Sequence, residues 1–264
     1  MARCRRSFSA DSRQIFRGMN IGTATPGAET LQKVNHYFVN ARDPDSPFSA
    51  GAFGRLARGI IDRKMREGKP VIICGGSGLY IQAVLGMTAD TEKSDAALRR
   101  KIQLRADQEG WDTMYRELQR RDPEHAAKID PRNPKRIGRA LEILGSGGAK
   151  PSERYKGGGE PFPYPKLSIG LRPERRLLYR RIDRRVEEMV EAGLTDEVKV
   201  LLAKGYGPGL NAFSAVGYKE IIAFLDGKTD LSGAVREIQK HTRHFAKRQM
   251  TWFRKYAPDR WIEH

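Results

Sequence analysis

The sequence predicts an α/β fold: a parallel sheet flanked by helices, with a helical subdomain inserted into it. Three observations carry this. Val71–Cys74 is a short β-branched run, set between a helical-period segment and the glycine turn GGSG. A second apolar run, Leu167–Leu171, leads directly into a long amphipathic segment. Between them, from Ser94 to about Leu144, no strand candidate occurs. Strands alternating with helices imply parallel pairing and crossover helices.

Each element follows in order. Phe53, Leu56, Ile60, Ile61 and Met65 recur at helical spacing and predict one apolar stripe, which REGKP ends. VIIC then reads as a fully buried strand, with Cys74 as a small apolar filler. GGSG turns the chain into the helix LYIQAVLGM. The insertion reads as successive helices. In the last of them Ile137, Leu141 and Leu144 line one face, and Lys135, Arg136 and Arg139 another. Gly145–Pro165 holds six glycines and four prolines and is expected to be an irregular surface linker. Leu167–Leu171 reads as another buried strand. RPERRLLYRRIDRRVEEMVEAG reads as a helix with Leu178, Ile182, Val186 and Met189 inward and a stop or kink at Gly193. The tail from Asp226 is helical. The domain division expected is 1–93 for the first part of the core, 94–160 for insertion and linker, and 161–264 for the rest of the core.

Composition narrows the function. Lys plus Arg number 49 against 32 Asp plus Glu, a net charge of +17, and 39% of the residues are hydrophobic. That balance allows a core and points to a polyanionic partner: nucleic acid, acidic lipid or a phosphate-rich small molecule. The longest apolar run is far too short to span a bilayer, so no membrane role is expected. MARCRRSF is basic with no apolar stretch behind it, so no secretory signal is expected and the cytoplasm is the predicted location. Cys4 and Cys74 form no metal or redox motif.

Four stretches could carry chemistry. In SADSRQIFRGMNIGTATP, Asp11 follows a strand end, where α/β sheets place binding and catalytic groups, and a carboxylate there can take a proton from an amine. The competing reading is a cap on a helix beginning near Ser12, with Arg13 on the surface. In GGSGLY, glycines after a strand admit a ligand close to the backbone, and Ser77 offers a hydroxyl. A plain strand-to-helix turn explains the same letters. No GxxxxGK[ST] loop occurs: Gly227–Thr229 is GKT, but Ile222 stands where the first glycine belongs. Finally, KHTRHFAKRQMTWFRK interleaves Lys247, Arg248, Arg254 and Lys255 with Phe245, Trp252 and Phe253. This suits phosphates and unstacked bases, or else an amphipathic helix with its aromatics in the core. His241 and His244 lack a third ligand, and no metal is expected there.

SADSRQIFRGMNIGTATP, GGSGLYIQAV, NPKRIGRALEI, SAVGYKEI and KRQMTWFR, in that order, closely resemble the bacterial tRNA dimethylallyltransferases, also called tRNA isopentenyltransferases. The resemblance runs from about Ser9 to Trp261. It implies a P-loop-kinase-like sheet with a helical insertion that grips the anticodon stem-loop of tRNA. It implies transfer of a dimethylallyl group from dimethylallyl diphosphate to the exocyclic amine of the adenosine 3′ of the anticodon, with Mg2+. Asp11 matches the general base, and Ser77 a position usually held by Thr that meets the bridging oxygen of the diphosphate. Arg99 matches a tRNA contact. So do Asp11, Ser12, Arg13 and Gln14; Lys135, Arg136, Ile137, Gly138 and Arg139; and Lys247, Arg248 and Arg254. Ser214–Lys219 matches a segment near diphosphate and RNA, with Lys219 where Arg is frequent. A monomer is expected.

The departure lies at the start. Family members open with a strand and a loop close to GPTASGKS, then a helix, before the DS motif; this chain enters the motif at once from MARCRRSF. The first strand and the loop's Lys and Ser or Thr are missing. Two readings fit: an N-terminally truncated enzyme, favoured because every later motif is intact, or a catalytically inactive tRNA-binding paralogue. On the first, the 264 residues alone are expected to be nearly inactive and marginally stable. A transferase acting on free adenine nucleotides fits the basic segments poorly.

Overall fold

A computed structural model describes residues 6–88, 95–156 and 159–263. Cys4 and the expected insertion boundary at 93/94 lie outside these residues. In chain order the elements are β1 (Arg6–Ser9), α1 (Ala28–Lys33), β2 (Asn35–Tyr37), α2 (Ala50–Arg66), β3 (Ile72–Cys74) and α3 (Gly78–Leu85). Then come α4 (Ala96–Glu109), α5 (Trp111–Arg121), α6 (Pro123–Ala126), α7 (Pro134–Gly145) and α8 (Pro151–Lys156). The rest are β4 (Ile169–Arg172), α9 (Arg175–Glu191), α10 (Leu194–Ala203), a 3-10 turn (Asn211–Ser214), α11 (Tyr218–Leu225), α12 (Leu231–Lys255) and β5 (Arg260–Glu263). The chain forms two compact units: residues 1–81 with 163–264, and residues 82–162.

In the first unit, β1 is the central strand of a parallel sheet ordered β2-β1-β3. Phe8 pairs in register with Tyr37 on one side and Ile73 on the other. Ser49 caps α2 through Ala52 N–H at 3.1 Å, and Phe53, Ala57 and Ile61, four residues apart, are the stripe it buries. Phe53 stacks on Tyr80 of α3 at 4.4 Å and packs against Phe38 at 4.7 Å, which fixes both helices on the sheet. Gly193 separates α9 from α10, and Asp230 caps α12 through Gly233 N–H.

Several expectations change here. VIIC is not fully buried: β3 is an edge strand, Ile72 is half exposed, and Cys74 is exposed rather than a core filler. Leu167–Leu171 is not a buried strand either. Among the described residues β4 pairs only with β5, in parallel, in a separate two-stranded sheet, and Leu171 is 66% exposed. A strand with neighbours on one side only, and little packed over its faces, leaves its β-branched and aliphatic side chains open. Leu56 also faces solvent, because the buried stripe of α2 runs through Ala57 instead. The Gly/Pro-rich linker is not wholly irregular: Ser152 N–H donates to the buried Asp122 at 2.8 Å, and that anchor supports α8. No α-helix begins at Ser12; residues 12–15 are turns.

Among its described residues, the regular elements of the second unit are all helices. Asp95 caps α4, and Asn133 caps α7 with Pro134 at its first position. Ile102, Met114, Leu118, Ile129, Ile137 and Leu141 fill its core.

Candidate active site

The ends of β1 and β3 are stitched together. Ala10 N–H donates to Cys74 C=O at 2.8 Å, and Ser77 N–H donates back to Ala10 C=O at 3.0 Å. A Cβ on Gly75 would lie 2.3 Å from the Ala10 oxygen, so only glycine permits this approach. The result sets the DS and GGSG turns side by side. Ser12 N–H donates to Ser77 Oγ at 2.9 Å, which orients the hydroxyl and leaves its own O–H to donate elsewhere.

Asp11 is half-buried. Its Oδ1 accepts from the N–H groups of Arg13 at 2.8 Å and Gln14 at 3.4 Å, while Oδ2 has no hydrogen bond among the described residues. The capping contacts of the competing reading are therefore present, but they close a turn and occupy one oxygen only. The other is open for a proton. Beside it Tyr80 is buried, which pushes its phenol above the ordinary range; the Arg13 guanidinium counters this in part.

Three further segments meet here. Arg13 donates to Asn211 C=O at 2.7 Å and to Ser214 Oγ at 3.1 Å, tying DSRQ to the start of SAVGYKEI. Gln14 bridges Ser9 Oγ and the carbonyls of Thr23 and Ala24, so it holds the loop after the motif. Gln249 of α12 donates to Gly76 C=O at 3.2 Å, and Trp252 lies over Gly78, where a Cβ would come within 2.3 Å of the indole. The helix carrying KRQMTWFR thus rests directly on the GGSG turn. Lys247, Arg248 and Arg254 are exposed on it. Phe245 is exposed too, with Arg248 over its ring at 5.7 Å, so the core reading fails for that residue; Trp252 is half-buried. Lys219 is half-exposed and sits 3.4 Å from Glu220.

Sequence reasoning did not find Glu197, and it took in Tyr218 and Glu220 only as letters of SAVGYKEI without a role for either. Glu197 accepts the N–H groups of Asn20, Ile21 and Gly22 at 2.8, 2.8 and 3.2 Å and the Tyr218 hydroxyl at 2.6 Å. Burial, then the Glu197 carboxylate, pushes the Tyr218 phenol up. The buried Glu220 accepts Gly217 N–H at 2.8 Å and pairs with His241 Nδ1 at 2.7 Å, so that histidine has a carboxylate partner. Gly217 and Glu220 form a local capping box, but the Glu197–Tyr218 and Glu220–His241 pairings arise only when α10, α11 and α12 pack.

The other predicted residues lie in the helical unit. Lys135 and Arg136 are exposed at the start of α7. Ile137 is not a surface contact: it is fully buried in the core of this unit, and a Cβ on Gly138 would lie 3.4 Å from the Trp111 ring. Helical periodicity turns those two away from the cationic side. Arg99 and Arg139 converge on Glu142, at 2.7 and 2.8 Å.

A parallel α/β core with a carboxylate, a hydroxyl and a basic helix gathered at its strand ends defines a group-transfer enzyme with an anionic substrate. The comparisons make this specific. The IPP transferase family model matches residues 14–256. The tRNA dimethylallyltransferase 2 of Geotalea uraniireducens is 44% identical over 97% of this chain and 83% of its own length. That of Geobacillus thermodenitrificans is 40% identical, over 97% and 81%. The solved tRNA isopentenylpyrophosphate transferase of Bacillus halodurans is 36% identical with a TM-score of 0.68, over 98% of this chain and 81% of that one. A eukaryotic dimethylallyltransferase solved acting on tRNA is 25% identical with a TM-score of 0.83, over 98% and 67%. The chain belongs to the IPP transferase family, the tRNA dimethylallyltransferases.

Proposed function

We propose that this chain transfers a dimethylallyl group from dimethylallyl diphosphate to the exocyclic amine of the adenosine 3′ of the anticodon in tRNA. One observation carries the reading most: Asp11, with an open Oδ2, stands beside Ser77, with a free O–H, at the ends of adjacent strands.

The adenine leaves its stack to reach these groups, as bases do in other base-modifying enzymes. The amine nitrogen forms a bond to the prenyl carbon, the carbon–oxygen bond to diphosphate breaks, and its electrons depart with the diphosphate. Asp11 Oδ2 takes the amine proton. Ser77 donates to the oxygen that gains charge, where a single aimed donor has its largest effect. Lys219, in the first turn of α11, is the cation proposed for the diphosphate. Lys247, Arg248 and Arg254 are proposed for RNA phosphates, as are Arg99, Lys135, Arg136 and Arg139 on the helical unit.

Mg2+ is proposed to be held chiefly by the oxygens of the diphosphate and by water, as this ion usually is, rather than in a cage of protein ligands. Among the described residues, no three His, Cys, Asp or Glu side chains gather, and Asp11 already uses one oxygen on the backbone. The working unit proposed is a monomer in the cytoplasm; among the described residues no helix is long and apolar enough to cross a membrane. The inactive tRNA-binding alternative is less favoured, since relatives named tRNA dimethylallyltransferase match over 97% of this chain.

Labelled dimethylallyl diphosphate and an anticodon stem-loop test this. Label should enter the RNA carrying adenosine at the 3′ position and not one carrying purine riboside there, which has no exocyclic amine. Equal labelling of both would overturn the amine as acceptor.

A further inference from the structure

Glu142 stands out on α7. Its neighbours on the buried side are Ile137, Ala140, Leu141 and Ile143, and its own side chain is only 7% exposed. An acid in such a place is costly unless paired, and an apolar residue of similar size is often as stable or more so. Stability alone therefore does not explain a carboxylate here.

Its partners do. Oε1 accepts Arg99 Nε at 2.7 Å and Oε2 accepts Arg139 Nη1 at 2.8 Å, joining α4 to α7. Arg99 also reaches Oε2 through Nη2 at 3.5 Å, yet its side chain stays 61% exposed. The inner edge of that guanidinium is held while its Nη1 group faces away from the carboxylate. Burial works to raise the Glu142 carboxyl, but the two arginines outweigh it and hold the carboxyl below its ordinary range.

We propose that Glu142 is a positioning residue for RNA: a buried carboxylate that holds Arg99 and Arg139 as one rigid cationic fork for backbone phosphate. A free arginine side chain loses much of its rotamer freedom when it is immobilised. Here that ordering is already done in the folded protein, which is how preorganisation raises affinity. Two guanidinium groups meet one carboxylate here. The inference rests on the reading that the chain acts on tRNA, and it adds a residue that does not itself touch the RNA.

The test is Glu142→Gln, with an anticodon stem-loop titrated over a salt series. A bystander carboxylate near a polyanion repels it, so its removal would tighten binding. A positioning residue predicts the reverse: binding about 10-fold weaker, within the range of coupled residues, and a log–log salt slope shallower by about 0.7 for each phosphate no longer neutralised. In an Arg99→Ala, Arg139→Ala background the same change should have no further effect. Thermal unfolding is followed on each protein. If Glu142→Gln fails to fold, Glu142→Asp keeps the charge but retracts it by one methylene, and should weaken binding in the same direction. Unchanged or tighter binding, or an equal loss in the double-arginine background, overturns the proposal. If the unaltered chain shows no salt-dependent RNA binding, it is the functional reading that fails.

Discussion

Ser12 N–H donates to Ser77 Oγ at 2.9 Å, a bond between residues 65 positions apart that joins the turns leaving β1 and β3. It ties the loop of the carboxylate to the loop of the hydroxyl, adding a side-chain bond to the backbone bonds between Ala10, Cys74 and Ser77.

Ser77→Ala removes that anchor and the donor together. Loss of a single aimed donor costs about 10²–10³ in turnover. Ser77→Thr keeps the hydroxyl and should retain most of the rate, while cysteine, a weak donor, should not. Prenyl transfer at saturating RNA measures it, and equal rates for alanine and threonine variants would refute the role.

Glu197→Gln tests the clamp on the loop after the DS motif. Glutamine has one acceptor oxygen where the carboxylate serves three N–H groups and the Tyr218 hydroxyl with two. The loss should be about 1–3 kcal/mol in urea unfolding. Tyr218→Phe removes one of the four donors and should cost less.

The helical unit should weaken in acid. Burial works to raise Asp122, but its bonds from Ser152 and His125 outweigh burial and hold it below the ordinary aspartate value. Because the folded pKa is depressed, the stabilisation is present above the unfolded value, about 3.9, and is lost as pH falls through the folded one. Asp122→Asn should therefore be the less stable protein at pH 6, and the gap should close below about pH 4. Urea unfolding at both pH values measures it; a constant gap would contradict the assignment.

Much of the fold is legible in the sequence because the signals are local. Helical periodicity places α2, α7 and α9, and GGSG marks the turn after β3. The burial of β3 and β4 is not legible, for a physical reason. A β-branched run reports strand propensity, while its burial depends on what lies beside it, and both strands stand at sheet edges. Asp11 and Ser77 are legible as motif residues. Glu197, Glu220 and Glu142 are not, since each role needs a partner at least 21 positions away, although Arg139 stands only three residues before Glu142. Ile137 falls into the RNA-contact segment through its neighbours, although its own periodicity points inward.

The account stands most directly on Asp11. Asp11→Asn keeps an oxygen for the Arg13 and Gln14 N–H groups but cannot take the amine proton. Transfer of labelled dimethylallyl to an anticodon stem-loop is to be measured on the variant and on the unaltered protein, together with RNA affinity. The account predicts a loss of about 10²–10⁴ in rate at saturating RNA, with affinity essentially unchanged. A variant that binds RNA more weakly but turns over normally once saturated would show that Asp11 is a turn cap or an RNA contact and not the base.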